Sequence, residues 1–379
     1  MKTSTSILIG TLYLFLAAIA DAHAAKITAL ANFTFTNGSY PYGAMTVGSD
    51  GILYGTTYEG GTNNSGALFR LTTTGTFTPF DPFEPEVSDG TYVTNSSGGY
   101  PYAGLTLGGD GNLYGIGATG GTNASGTFFR VATNGALTPL FNFSRQLNNG
   151  NGALTNNTGG NPEGKLALSA DGGFYGTTHS GGRFGRGAIF KVTTNGDFMP
   201  LVSFNGTNGG NPESGLTLGN DGNFYGATYY GGTNGNGAIF RVTTNGILTC
   251  LYSFSAGGVT ASYTYTNADG ANPAAALTLG SDGLFYGTCH DGGTNGYGTV
   301  FTVTTNGQVT TLVFFNKTNG ASPLGELTRG NDGSFYGVTP GGGTNGTGTI
   351  FKIATNRTFS SLLSFSSRVS NGRSLTNNT

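Results

Sequence analysis

One tripeptide, [LF]-Tyr-Gly, recurs six times along this chain inside a longer fixed register. Its tyrosines are Tyr54, Tyr114, Tyr175, Tyr225, Tyr286 and Tyr336. A proline stands 13 residues before each: Pro41, Pro101, Pro162, Pro212, Pro273 and Pro323. An Asp-Gly pair begins four residues before each tyrosine, a Gly-Gly pair follows, and then a phenylalanine (Phe69, Phe129, Phe190, Phe240, Phe301, Phe351). Successive tyrosines lie 50, 60 or 61 residues apart, and all the variation falls between one unit's last strand and the next proline. Such a period marks an array of small units, each burying its apolar surface on its neighbours.

Within a unit the pattern reads as four short strands. In the fourth unit these are 214–219, 223–229, 237–244 and 247–254, separated by Asn-Asp-Gly, a Gly/Asn-rich turn and Asn-Gly. Asp-Gly and Asn-Gly are strong signals for short hairpins with two-residue turns, which need positive φ where Gly or Asn sits cheaply. Unit 6 departs from this, with Arg357 where the other units have glycine. The strands are apolar on both faces (Leu68 and Phe69 are neighbours), as in sheets covered on both sides. Four-stranded sheets stacked in sequence predict an all-β fold, a β-propeller of six complete four-stranded blades. Ile27–Phe33 resembles a fourth strand and stands alone before unit 1, giving one extra N-terminal strand. Two arrangements remain open: a six-bladed ring with a spare edge strand, or a seven-bladed parent lacking three strands.

The spaced pattern P-x(5)-L-x-x-G-x-DG-x-[LF]-YG, followed by GG and F-[RK]-[VIL], resembles the choice-of-anchor tandem-repeat GloVer family of secreted bacterial proteins. The resemblance runs from Ile27 to about Phe365. It implies repeat architecture and a secreted or surface location, and it brings no activity and no catalytic residues. Members often close on an anchoring segment, which the final SLTNNT does not resemble.

The N-terminus reads as an address. Lys2, an apolar run from Ile7 to Ala20 and the small-x-small Ala22-His23-Ala24 predict a signal peptide over residues 1–24. The repeat domain then spans 25–365, with 366–379 a connector or the start of a further repeat. No membrane span is expected after cleavage. Charged residues are only 9% of the chain and the net charge is -2, against about 25% charged on average. That gives no electrostatic basis for nucleic-acid binding. The expected form is a monomer whose partner is an extracellular glycan or protein.

Function is expected on one face. In a blade the fourth-to-first and second-to-third connections share a face, and only that face varies in length; long loops on a rigid scaffold are where binding is built. The residues after each proline differ between units and include Tyr42, Tyr102, Glu163 and Glu213. The residues before Gly-Gly include Tyr58, Glu59, His179, Tyr229, Tyr230, His290 and Asp291. Together they should ring a channel mouth that is aromatic and acidic, as suits a sugar or peptide. Solvated loop residues with no ligand would show the same composition. Glu163 and Glu213 from neighbouring units could do acid/base work on a glycosidic bond, with His179 assisting; a carbohydrate-active enzyme is therefore the alternative to a binding module. A purely structural surface repeat is the third reading.

No cofactor and no metal are expected. The Asp-Gly turns lack calcium-loop spacing, no Cys/His cluster has metal-ligand spacing, and the Gly-rich turns open no helix that could cradle phosphate. The aspartates should contact the basic residues that follow each phenylalanine (Arg70, Arg130, Lys191, Arg241, Lys352). Cys250 and Cys289 fall on different strands of adjacent blades, too far apart for a disulfide.

Overall fold

The computed structural model describes residues 30–80, 83–259, 264–366, 368–370 and 375–377. The signal-peptide reading, 1–24, lies outside them. Six four-stranded antiparallel sheets follow one another in sequence order. They surround a central cavity lined by every unit, so the chain forms a six-bladed β-propeller. In the fourth blade the strands are Thr217–Leu218, Phe224–Thr228, Ala238–Val242 and Leu248–Ser253, paired as a simple meander. Among the described residues helix is confined to one 3-10 turn, Phe35–Asn37. Among the described residues no helix is long and apolar enough to cross a membrane.

The [LF]-Tyr-Gly tripeptide has a packing reason. On the second strand the residue before the tyrosine faces the preceding blade and the tyrosine faces the following one. Tyr175 stacks on Phe224 (ring centroids 4.3 Å), Tyr225 on Phe285 (4.2 Å) and Tyr286 on Phe335 (3.8 Å). The glycine lies opposite the third-strand phenylalanine in the register, Gly226 against Phe240 for example. The ring lies across it: a Cβ on Gly226 would stand 2.6 Å from Phe240 Cζ, and all six units repeat this contact at 2.3–2.7 Å. Each phenylalanine from Phe129 onward also receives a ring from the end of the preceding unit, as Phe204 does on Phe240 (5.3 Å). Strands apolar on both faces thus feed two inter-blade cores, and both faces are dry. Five such cores join the six blades.

The two tight turns are three-residue loops. In the fourth blade Thr243 N–H donates to Ile247 O and Gly246 N–H to Thr243 O, with Gly246 at φ 87°. Only the glycine is left-handed, so the preceding Asn or Asp serves through its side chain. Asp221 Oδ1 accepts the Asn223 N–H, and Oδ2 accepts the Tyr225 hydroxyl at 2.8 Å. All six aspartates hold the tyrosine four residues on, at 2.8–3.0 Å. The expected Asp–Arg/Lys pairing is met in two units. Lys191–Asp171 (2.8 Å) and Lys352–Asp332 (2.9 Å) form it on the same Oδ2 that accepts the tyrosine hydroxyl; no arginine counterpart comes within 4.0 Å of its aspartate among the described residues. Arg70 lies over the Phe80 ring instead.

Arg357 keeps the turn that its neighbours build with glycine: its N–H donates to Ala354 O and its φ is 66°. A side chain costs about 1 kcal/mol in that region. Arg357→Gly is therefore expected to raise stability by about 1 kcal/mol in urea denaturation. No gain would mean that the side chain makes compensating contacts.

The long connectors form small hairpins rather than open loops: Val87–Ser88 with Val93–Thr94, Leu147–Asn148 with Leu154–Thr155, and Gly258–Val259 with Tyr265–Thr266. A fourth pairs Arg368–Ser370 with Leu375–Asn377, in the segment expected to be a connector. Of the N-terminal strand, Ile27–Ala29 lie outside the described residues. Leu30–Phe33 pair with no strand, yet Phe33 packs edge-on against Phe69 (5.1 Å) and Phe77 (5.4 Å). Both cysteines are free, Cys250 exposed and Cys289 buried.

Candidate functional site

The site is built by six copies of the segment after the proline. The first strand of each blade is innermost, and alternate residues ahead of it line the cavity. One tier holds Tyr42, Tyr102, Glu163, Glu213, Ala274 and Leu324; the next holds Ala44, Gly104, Lys165, Gly215, Ala276 and Glu326. The cavity measures about 240 Å³. Backbone pairs tie these segments to the Gly-Gly turns of the same unit. His179 N–H donates to Asn161 O, Tyr229 N–H to Asn211 O and His290 N–H to Asn272 O. The two variable sets picked from the sequence therefore share one end of the propeller.

Tyrosines dominate one side. Tyr42 meets Tyr102 at 5.0 Å and Tyr58 at 5.7 Å, and Tyr58 meets Tyr100 at 5.4 Å and Tyr102 at 5.8 Å. Tyr40 extends the cluster from Tyr42 (5.8 Å). Burial, then the charge of Glu163, pushes the Tyr102 hydroxyl up to about 12. Glu59 stands close enough to raise Tyr42 and Tyr58 further, after burial.

The other side is acidic. Burial and then the neighbouring Glu213 push the Glu163 carboxyl up to about 7. Burial raises Glu213 as well, against the pull of His290. Burial lowers His179. Tyr229 is pushed up to about 12 by burial, then by Asp291 and Glu213, and packs edge-on with Tyr230 (4.7 Å), which is exposed. His290 Nδ1 lies 2.9 Å from Asp291 Oδ1, at ion-pair distance but outside hydrogen-bond alignment.

Tyr42, Tyr102, Glu163 and Glu213 thus meet in one cavity, with Tyr58 against its tyrosine wall. His179, Tyr229, Tyr230, His290, Asp291 and Glu59 belong to the rim turns. Sequence reasoning missed Lys165 and Glu326, whose units stand three apart in the ring. Burial pushes the Lys165 amine down while Glu326 holds it up; burial raises Glu326 while Lys165 draws it down. They form no ion pair within 4.0 Å among the described residues; Lys165 Nζ instead donates to Thr46 Oγ1 (3.2 Å). The signal was available: at that tier the other four units have only Ala or Gly. Among the described residues no group of three His, Cys, Asp or Glu side chains could hold a metal ion.

The repeat model described as Gloeobacter/Verrucomicrobia repeat matches residues 91–260 and 255–378, more than half of the chain. The chain belongs to that family. Membership in the Gloeobacter/Verrucomicrobia repeat family agrees with the blade register and assigns no reaction. No curated protein matches the chain. Among solved structures it is similar to the periplasmic gluconolactonase of Pseudomonas aeruginosa, at 14% identity and TM-score 0.55, covering 90% of this chain and 89% of that one. A Bacteroides fragilis protein proposed to be a 6-phosphogluconolactonase aligns at 14% identity and TM-score 0.53, covering 88% and 85%. At such identities the likeness establishes the propeller fold alone.

Proposed function

We propose that this protein is a secreted or cell-surface binding module whose channel mouth holds an extracellular glycan. The observation that carries the reading is the contiguous tyrosine wall facing two glutamates across one small cavity. Ring faces stack on the C–H faces of a sugar, and carboxylates accept its hydroxyl hydrogen bonds. The cavity suits the end of a chain rather than a flat protein surface. Tyrosine without tryptophan makes the binding weak.

The test is a glycan array on the chain lacking residues 1–24, followed by titration of any hit. Tyr42→Ala with Tyr102→Ala is expected to weaken that hit at least tenfold, about 1.4 kcal/mol. Asn245→Ala, in a turn of the opposite face, should leave it unchanged. Loss only with the turn variant would move the site to the other face. No hit on the array would favour the purely structural surface repeat.

One observation favours catalysis as a second reading. A carboxyl titrating near neutrality beside a second carboxyl is the arrangement in which one acts as acid and the other as base. On this reading Glu163 is the acid, and Glu163→Gln abolishes cleavage of a bound glycan while retaining binding. Unchanged glycan after prolonged incubation with the parent protein would leave the binding module alone.

A further inference from the structure

Five of the six blade junctions share one set of contacts, and the junction from blade 6 to blade 1 lacks all of it. In each of the five, the residue before the proline is left-handed and donates its N–H to a carbonyl in the preceding blade. The bonds are Tyr100 to Ser65 (2.7 Å), Asn161 to Ser125 (3.1 Å), Asn211 to Arg186 (2.7 Å), Asn272 to Asn236 (2.8 Å) and Ser322 to Tyr297 (2.9 Å). Tyr40 has the same backbone (φ 57°), but among the described residues its N–H donates to nothing and the equivalent Thr347 carbonyl accepts nothing. Each proline of those five junctions also covers a glycine of the preceding blade, Pro273 Cδ on Gly237 for example; the atoms nearest Gly348 are instead those of its own blade, Thr339 O and the Pro340 backbone.

Side chains repeat the asymmetry. First-strand threonines donate to the next blade's leucine carbonyl at four junctions (Thr46 to Leu105, Thr106 to Leu166, Thr217 to Leu277, Thr278 to Leu327); Thr328 makes no such bond. Tyr54, Tyr114, Tyr175, Tyr225 and Tyr286 are at most 3% exposed, whereas Tyr336 is half-buried and stacks on no ring. Val338 is half-buried where its five counterparts (Thr56, Ile116, Thr177, Ala227, Thr288) are buried, and with Ile350 and Phe365 it lines the cavity. Among the described residues no apolar core joins blades 6 and 1.

On the other lip, Phe33 already sits on Phe69 where every later blade receives the closing ring of its predecessor: Phe83 on Phe129, Phe143 on Phe190, Phe204 on Phe240, Phe254 on Phe301, Phe315 on Phe351. Leu30–Phe33 therefore holds the place of a fourth strand with no third strand to pair with.

The geometry points to an open seam between blades 6 and 1 that accepts one further repeat of this same family, contributing three strands beside Leu30–Phe33. The five closed junctions specify the occupant's chemistry. Toward blade 6 it presents a proline for Gly348, a left-handed residue donating to Thr347 O, and a Leu or Phe against Tyr336. Toward blade 1 it presents a Tyr-Gly strand against Leu53 and a carbonyl for the Tyr40 N–H. Its post-proline residues would join the cavity lining between Leu324 and Tyr42. Unpaired polar backbone and an apolar face that is only half-buried together make such a blade face a site for added structure.

The test compares the chain from Ala25 with the same chain carrying a second copy of its own residues 159–195 fused after Thr379. Both carry Val338→Cys as a reporter and Cys250→Ser, serine being the blade 6 residue at that place. Alone, Val338→Cys is expected to react with a thiol reagent at a rate near that of Cys250 in the parent, and the Tyr40 amide to exchange faster than the Tyr100 amide. The fused repeat should slow labelling at least tenfold, equalise the two amides and raise Tm. A fused copy carrying Phe174→Ala and Tyr175→Ala should give no protection. Protection of Val338→Cys in the unfused monomer would overturn the inference, since the seam would then close by itself. Protection that rises with concentration alongside a dimer would overturn it in favour of a second copy. A fused repeat that changes neither labelling nor exchange would overturn it outright. The amide comparison needs no substitution and decides the matter should the cysteine variant fold poorly.

Discussion

Phe240→Ala is expected to lower the stability of the propeller by about 3–5 kcal/mol, measured as a shift of the urea midpoint at constant slope. The side chain is wholly buried. It sits in the core between blades 3 and 4 with Tyr175, Ile189, Phe204, Leu216, Phe224 and Val242. Truncation leaves a void between two β-sheets, which cannot collapse without tilting a blade. The glycine beneath the ring provides an internal check. Gly226→Ala places a methyl 2.6 Å from the ring, and is expected to destabilise by about 1–3 kcal/mol through overpacking. In the double variant the methyl occupies part of the void, so the two costs should sum to more than the measured loss. Strict additivity would show that ring and glycine do not pack on each other.

Glu163→Gln is expected to stabilise the protein at pH 8 by about 1–3 kcal/mol and to leave it unchanged at pH 4. Burial and then Glu213 push the native carboxyl up to about 7, against an ordinary 4.5 in the unfolded chain. Between those values the native state holds the proton more tightly, so stability falls as pH rises through the window. Below 4.5 both states are protonated and the residue contributes no pH dependence; above 7 the full penalty of the buried carboxylate is present. Removing the charge removes that penalty only at the alkaline end. Because Glu213 is the second cause of the shift, Glu213→Gln should also move the Glu163 titration downward. An equal gain at both pH values would assign the effect to packing rather than charge. No gain at pH 8 would place the carboxylate in water, and the paired-carboxylate cavity would be lost with it.

The sequence by itself determined the unit, its six copies and its four strands, because those follow from local rules. A three-residue turn favours a glycine at its left-handed position, a strand has period two, and a strand covered on both faces is apolar on both. It also placed Tyr42, Tyr58, Tyr102, Glu163, Glu213 and the two histidines at one end, because equivalent positions in a repeat must occupy equivalent places. Contacts between units were decided by the tertiary structure. The tyrosine partner of each aspartate was missed because the Tyr hydroxyl four residues on reaches the carboxylate only once the second strand is packed, and the two lysines join it there while the arginines do not. Lys165 and Glu326 line one cavity because arranging the sheets about a common axis brings units three apart to face one another. The N-terminal segment shows the limit most clearly. Its sequence is that of a fourth strand, yet Leu30–Phe33 forms none, because a strand exists only where a neighbour offers its hydrogen bonds. Phe33 is held without that neighbour, since ring packing depends on burial rather than on backbone pairing.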